Sequence, residues 1–334
     1  MATPKPLLKD LVSGTNFVPP NFIRPENDRP NLDEVHLCDV SIPLVDLEDL
    51  HGPNHSDVIN QIAQACQNYG FFQVKNHGIE EAIIENVVRV SREFFHLSES
   101  ERLKNYSEDP FKTTRLSTSF NVRTEKVSSW RDYLRLHCYP VEEYIDEWPE
   151  NPKSFKRELL EAISESLGLA GDNIDKKLGK HGQHMAINYY PPCPQPELTY
   201  GLPAHADPNV VTVLLQDDVA GLQVLKDGNW LAVKPIPNTF IVNIGDQIQV
   251  ISNDRYKSVL HRAVVNSSKE RISIPTFYCP SYDAVIEPAQ QLIDQDNLAH
   301  YKSFTYNEYY EKFWDKGLRT HTCLDNFKIY HPKT

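Results

Sequence analysis

Three residues within Tyr200–Ser273 have types and spacing that could do metal chemistry: His205, Asp207 and His261. The local text is GLPAHADPNVVTVLLQD, followed after several apolar runs by YKSVLHRAVVN. Successive side chains of a strand alternate faces, so His205 and Asp207 are expected to look the same way. His261 lies far enough downstream for the sheet to fold back and bring it alongside. Two imidazoles and one carboxylate on one face of a metal leave the opposite face open. That arrangement suits non-haem Fe(II), which can then take a cosubstrate and O₂. Past His261 comes Arg271-Ile272-Ser273. The same period of two places Arg271 and Ser273 on one face, where a guanidinium and a hydroxyl can hold a distal carboxylate. A lone His-x-Asp or Arg-x-Ser is commonplace. The specificity lies in the order: His-x-Asp, a β-rich interval, His, then Arg-x-Ser on the next strand.

The elements that must position these residues are short strands. From Met185 onward, apolar runs are separated by turn residues: MAINYY, VVTVLLQ, LQVLK, NWLAV, TFIVNIG, QVISN, SVLHRAVV and RISIPTFY. Asp227-Gly228 is a hairpin signal. Such a series predicts a sandwich or jelly roll. Before it the text is mixed. Residues 1–40 are rich in Pro and Asn and predict an extended lead-in with a short helix near Leu7–Val12. Ile42–Val45 predicts a strand. Helical spacing predicts a helix over 57–68, with Ser56 as its N-cap and Gly70 as its stop. FFQVKN predicts a strand, EEAIIENVVRVSREFFHL a long helix and Glu99–Lys104 a shorter one. Leu116–Val122 and Trp130–Cys138 read as strands. Phe155–Leu167, ended by Gly168, and Asp172–Lys180 read as helices, and Tyr306–Trp314 as an aromatic-rich one. The expected organisation is a largely helical region, residues 1–180, packed on a core, residues 181–334, as one unit of α+β class.

Composition narrows the function classes. A formal charge of −12 argues against a nucleic-acid or anionic-membrane surface. No run approaches a transmembrane length. The start MATPKPLLKDLVSG has no apolar signal core, so a cytoplasmic protein is expected. Cysteines 38, 66, 138, 193, 279 and 323 form no C-x-x-C pair, which is the pattern of reduced thiols. A monomer is the expected form.

The sequence resembles plant Fe(II)- and 2-oxoglutarate-dependent dioxygenases. The resemblance rests on CQNYGFFQVKNHGI, NYYPPCPQPELTYGLPAHADPN, GLQVLKDGNWLAVKPIPNTFIVNIGDQIQVISN and YKSVLHRAVVNSSKERISIPTFYCP. It runs from about Ile42 to the C-terminus. KTTRLSTSFNV, WRDYLRLHCYP and EWPENP narrow it to the downy-mildew-resistance-six-like oxygenases, a group of salicylate hydroxylases, and within them to the salicylate 3-hydroxylase branch. One departure stands near Lys156, where relatives carry a longer helix and SFK here runs almost directly into RELLEAISESLGL.

The resemblance implies a double-stranded β-helix (jelly-roll) core flanked by helices. It also implies Fe(II) on His205, Asp207 and His261, and 2-oxoglutarate held by Arg271 and Ser273 with help from Asn188 and Tyr190. O₂ is the second substrate and ascorbate the reductant. Substrate contacts are implied at Tyr133, Arg135 and Phe277. Tyr133 and Arg135 share a face of their strand, and Arg135 could pair with the carboxylate of a small aromatic acid such as salicylate. Ser117 and Ser119 alternate likewise and could bind a phenol or carboxylate. Arg115, Arg131 and His137 are expected to be structural. His77 is expected to shape a strand-to-helix turn, and His181 and His184 to precede the core strand, solvated or packed. Three functions are open at this point. One is hydroxylation of salicylate at C3 or C5. Another is oxidation of a flavanone to a flavone by the same machinery. The third is a metal-binding jelly roll without catalysis, which would have no need of Arg271 and Ser273.

Overall fold

The computed structural model describes residues 6–31, 35–36, 42–109, 112–120, 125–139, 178, 182–316 and 323–330. In chain order the strands are β1 (Val35–His36), β2 (Leu44–Asp46), β3 (Phe71–Lys75), β4 (Arg115–Thr118), β5 (Asp132–Tyr139), β6 (Gly182–Tyr190), β7 (Leu202–His205), β8 (Val211–Gln216), β9 (Leu222–Lys226), β10 (Asn229–Ala232), β11 (Phe240–Ile244), β12 (His261–Ala263), β13 (Arg271–Cys279), β14 (Val285–Ile286) and β15 (Phe304–Thr305). A large sheet has the order β2-β3-β11-β8-β13-β6-β5-β4, and a smaller one β1-β10-β9-β12-β7. Their inner faces share one interior, lined by Asn188, Leu214 and Ser273 from the large sheet and by Leu222, His261 and Ala263 from the small one. This is a jelly roll of α+β class. Strands β2 to β5, from the N-terminal part of the chain, extend the same large sheet as the later strands.

Register decides which side chains meet on the inner face. Ser273 stands opposite Asn188 on one side and Gln216 on the other. Phe277 stands opposite His184 and Thr212, and Thr212 opposite Asn243. Tyr133, Arg135 and His137 face Asn188, Ala186 and His184 across the next ladder. The period of two therefore carries one inward row from β5 to β11. The Asp227-Gly228 signal becomes a two-residue hairpin between β9 and β10, both residues at positive φ (49° and 82°), as a type I′ turn requires.

The helices are α1 (Leu8–Leu11), α2 (His55–Asn68), α3 (Glu81–His96), α4 (Glu99–Leu103), α5 (Asp246–Ile251) and α6 (Tyr306–Lys316). Helix α2 buries Val58, Ile59, Ile62, Ala65 and Cys66, the stripe that its sequence predicts. Gly70 ends it at φ +63°. A Cβ there would also lie 2.3 Å from the Lys257 carbonyl oxygen, so only glycine fits the stop. Helix α3 is fixed to the large sheet by Arg92. Its guanidinium reaches Asp217 at 3.2 Å and Glu270 at 3.1 Å.

Several expectations are corrected. The N-cap of α2 is Asn54, not Ser56, and its amide is turned to Asp49 instead of the helix. The strand expected to run to Val122 stops at Thr118, because Ser119 has φ +66° and turns the chain. QVISN is not a strand. Residues Asp246–Ile251 form α5, which buries Ile248, Val250 and Ile251. A short apolar run has no periodicity to separate the two states. Gly245 is the extended N-cap of this helix, and its backbone packs so near Asn209 that a Cβ would lie 2.1 Å from the carbonyl oxygen. The helices expected at Phe155–Leu167 and Asp172–Lys180, and the departure near Lys156, lie outside the described residues. Among the described residues no helix is long and apolar enough to cross a membrane, and Cys66, Cys138, Cys193, Cys279 and Cys323 are buried and form no disulfide with one another.

A buried polar contact ties helix α6 to the core. Tyr309 donates its hydroxyl to Asp246 Oδ2 at 2.6 Å. Burial pushes the Asp246 carboxyl up to about 6 from 3.8. The protonated folded form is thus favoured, and its contribution is full below pH 3.8 and lost as pH rises through about 6. Asp246→Asn keeps an acceptor for Tyr309 and removes the charge. The variant is expected to be more stable than the parent at pH 8, on the order of 2 kcal/mol, with the gain vanishing near pH 4. Denaturant midpoints across that range check it, and equal curves at pH 8 would refute the assignment.

Candidate active site

The small sheet brings the two imidazoles together. β7 and β12 are antiparallel neighbours, and His205 and His261 are direct register partners, with ring centroids 4.2 Å apart. β7 ends at His205, so Asp207 is not in the strand as the alternation supposed. It lies two residues past the end and still turns inward. Its Oδ1 is 3.7 Å from Nε2 of both His205 and His261. The three residues are the one cluster of metal-ligand type among the described residues, with donor atoms within 4.8 Å of one another.

Hydrogen bonds outside the cluster aim the donor atoms into it. His205 Nδ1–H donates to the Pro203 carbonyl at 2.9 Å, and His261 Nδ1–H to the Val259 carbonyl at 3.2 Å. Each Nε2 therefore presents a lone pair inward. Asp207 Oδ2 accepts from Thr212 Oγ1 at 2.5 Å and from Asn243 Nδ2 at 2.7 Å, which leaves Oδ1 for the metal. Burial and the neighbouring His261 push His205 down to about 3, so it is a neutral ligand at ordinary pH. Burial opposes ionisation of Asp207, but the two histidines, Thr212 and Asn243 outweigh it and hold the carboxyl below its usual range. Two imidazoles and one carboxylate, with no thiolate, fit Fe(II) and leave coordination positions free.

Two chambers meet at this cluster, sharing Arg131, Leu202, His205, Asp207 and Phe277. The first, about 520 Å³ including its mouth, leads to Asn188, Tyr190, Arg271 and Ser273. The register places Arg271 opposite Tyr190 and Ser273 opposite Asn188. Arg271 is held by Val219 O at 3.0 Å from Nε and Gln216 Oε1 at 2.9 Å from Nη2, with its guanidinium 5.2 Å from the Tyr190 ring centroid. Asn188 donates to Ser273 Oγ at 3.2 Å. A cation and a hydroxyl at the blind end of a chamber that begins at a metal site can hold a dicarboxylate.

The second chamber, about 730 Å³ including its mouth, is largely aromatic. Tyr133, Phe277, Tyr306, Tyr310, Phe313 and Trp314 line it, with Arg131, Arg135 and His184 as its cationic or basic members. Trp314 of α6 stacks on Phe120 at 4.8 Å, which joins the C-terminal helix to the turn after β4.

Comparison with known proteins agrees with this chemistry. Residues 181–280 match the 2OG-Fe(II) oxygenase superfamily, and residues 42–151 the N-terminal region of the non-haem dioxygenase in morphine synthesis. The chain is 62% identical to Protein DMR6-LIKE OXYGENASE 2 of Arabidopsis thaliana, over 98% of this chain and 99% of that protein. The chain belongs to the plant DMR6-like 2-oxoglutarate- and Fe(II)-dependent oxygenases. Within this family its likeness extends to Flavanone 3-dioxygenase 2 of Oryza sativa subsp. japonica, 53% identical over 87% of this chain and 88% of that protein. The crystal structure of JOX2 in complex with 2OG, Fe and JA superimposes with a TM-score of 0.87, at 35% identity, over 98% of this chain and 99% of that one.

For an oxygenase of this family, the remaining residues fall into two groups. Tyr133, Arg135 and Phe277 line the aromatic chamber. The Tyr133 hydroxyl is engaged on both sides, accepting from Arg115 Nη1 at 2.7 Å and donating to the Phe120 carbonyl at 3.1 Å, so the ring is what it offers. Ser117 and Ser119 line neither chamber. Ser117 Oγ accepts from Arg115 at 3.3 Å, while Ser119 Oγ donates to Glu125 at 2.6 Å and accepts from Ser129 N–H at 2.7 Å. The positive φ of Ser119 breaks the alternation that paired it with Ser117. His77 caps its turn, accepting from Ile79 N–H at 3.2 Å.

Sequence reasoning missed three features of the site. Arg131 lies in the wall common to both chambers. His184 sits within β6 instead of before it, stacked on Phe277 at 4.9 Å and on His137 at 5.8 Å. Burial, then the charges of Arg135 and His137, push it down to about 3, so it is neutral. The third feature is α6, whose aromatic residues close the second chamber. The aromatic density of YNEYYEKFW was the available signal.

Proposed function

We infer that this protein hydroxylates a small aromatic acid, salicylate being the fitting case, to 2,3- and/or 2,5-dihydroxybenzoate, with decarboxylation of 2-oxoglutarate to succinate. The observation that carries the reading is a chamber beside the metal cluster that combines an aromatic lining with buried arginines. A single-ring acid needs both: a stacking surface and a cation for its carboxylate.

Bound Fe(II) supplies the redox chemistry with O₂, and ascorbate keeps it reduced. The protein's own part is placement and exclusion of water. Arg271 and Ser273 hold the distal carboxylate of 2-oxoglutarate, Asn188 orients the Ser273 hydroxyl, and Tyr190 stacks under the guanidinium. Phe277, backed by His184, offers a ring face to the substrate, while Tyr133 and Arg135 continue the same wall along β5. The Nδ1 bonds of His205 and His261 and the Thr212–Asn243 pair on Asp207 keep the three ligands from swinging toward the substrate. A metal-binding jelly roll without catalysis would not require the Arg271–Ser273 end of the first chamber.

One observation favours a second reading, oxidation of a flavanone. The aromatic chamber offers several ring faces, and the 53% identical rice relative is named a flavanone dioxygenase. Anaerobic loading with Fe(II) and 2-oxoglutarate, followed by O₂ with salicylate or naringenin in parallel, separates the two. Dihydroxybenzoate with matching succinate is expected. Oxidised flavonoid without dihydroxybenzoate would replace the first reading with the second, and no succinate from either would revive the non-catalytic one.

A further inference from the structure

The aromatic-acid reading leaves open which arginine takes the carboxylate, and the two candidates are differently placed. Arg135 lines the aromatic chamber alone, and its Nη2 donates to the Lys112 carbonyl at 2.7 Å. Arg131 lies where the aromatic chamber, the cosubstrate chamber and the metal cluster meet. It is 6% exposed. Its Nε donates to the Ser119 carbonyl at 3.0 Å and its Nη1 to Asn188 Oδ1 at 2.8 Å, with the guanidinium 4.8 Å from the Tyr133 ring centroid. These contacts fix the plane of the group from three sides. Among the described residues, Nη2 makes no hydrogen bond and no carboxylate forms an ion pair with Arg131.

A buried guanidinium with only neutral partners is costly, and an anion arriving beside it recovers part of that cost. Arg102, also buried, is paired with Asp10. Arg262 is stacked on Trp230 at 4.0 Å and bonded to Gln223 and Tyr200. Arg271 stands at the blind end assigned to 2-oxoglutarate. Arg131 is thus the cation at the junction with an open donor and no ion-paired carboxylate among the described residues. Resting on the aromatic-acid reading, we propose that Arg131 is the residue that binds the substrate carboxylate, through Nη2, and that Arg135 shapes the chamber without taking the anion. The Nη1 bond to Asn188 then links the substrate's carboxylate to the Asn188–Ser273 pair, so substrate and cosubstrate are oriented by one connected set of donors.

The test compares salicylate with salicylamide, its neutral counterpart, by anaerobic calorimetry on the full chain loaded with Fe(II) and 2-oxoglutarate. The wild type is expected to prefer salicylate. Arg131→Gln should weaken salicylate about 10- to 100-fold and salicylamide less than about 3-fold, while Arg135→Gln keeps the preference. An Arg131→Gln protein that still prefers salicylate would overturn the assignment. So would equal losses of salicylate, salicylamide and 2-oxoglutarate, which is what a purely positioning role through Asn188 gives. If Arg131→Gln does not fold, Arg131→Lys should still lose about 3- to 10-fold for salicylate alone, since it keeps the charge but not the fork. A wild type that binds naringenin and shows no preference for salicylate over salicylamide would instead sink the aromatic-acid reading, and the proposal with it.

Discussion

Asp207→Ala should yield a folded protein that no longer retains Fe(II) and turns over at about one-thousandth of the wild-type rate or less. The expectation follows from what Asp207 does at each oxygen. Oδ1 faces both imidazoles at 3.7 Å and is the site's anionic donor. Oδ2 is held by Thr212 and Asn243. Alanine removes the negative charge that offsets the metal and leaves two neutral ligands, too few to fix a divalent ion against water. The fold survives because the damage is local: Thr212 Oγ1 keeps Asn209 as a partner, and the Asn243 amide is the group that loses its acceptor. Asn243→Leu tests the same geometry more gently. It frees one side of the carboxylate and should weaken Fe(II) about 10- to 100-fold without abolishing turnover at saturating metal. Metal content after gel filtration, together with circular dichroism, reads both. Stoichiometric iron in Asp207→Ala would remove Asp207 from the ligand set.

The site residues that could be read in the sequence are those governed by a strand's period of two. Alternation pairs Arg271 with Ser273, the family resemblance adds Asn188 and Tyr190, and the ladder between β6 and β13 places the two pairs face to face. The same rule misled where the strand was not there. Ser119 leaves the β region, so its alternation with Ser117 has no meaning. Asp207 lies past the end of β7 and reaches the cluster because its loop turns back, with its carboxylate tied to Thr212 and Asn243. His184 was misplaced because Gly182 and Gln183 carry no β signal, yet β13 pairs with them as far as Cys279. Arg131 could not be read at all. Its position one residue before β5 says nothing of two chambers, whose shapes depend on how two sheets and α6 close over one another. Fold class and metal ligands are local text. The substrate wall is a tertiary product, assembled from β5, β6, β13 and a helix far along the chain.

The second large effect is expected at the other end of the cosubstrate chamber. Arg271→Ala should raise the 2-oxoglutarate concentration needed for half-saturation about 100- to 1000-fold while Fe(II) binding stays intact, because it leaves a desolvated carboxylate unpaired. The guanidinium is placed by Val219 O, Gln216 and the Tyr190 ring, none of them a residue of the metal cluster. Gly221 supplies an independent check of that placement. A Cβ on it would lie 2.8 Å from Arg271 Cδ, 2.9 Å from Arg271 Nε and 3.0 Å from the Val264 carbonyl oxygen. The side chain of Arg271 would therefore have to shift by several tenths of an ångström, against bonds that hold it on two sides. Gly221→Ala should weaken 2-oxoglutarate about 10-fold, a smaller loss than removal of the guanidinium but of the same kind. The two changes are not additive on this account. Once Arg271 is alanine, the clash at residue 221 loses its main partner, and Gly221→Ala should cost little more in that background. Anaerobic titration of 2-oxoglutarate into the Fe(II)-loaded proteins measures all four corners of the cycle. Additive losses, or a Gly221→Ala protein that loses iron as readily as cosubstrate, would show that the effect travels through the sheet and not through Arg271.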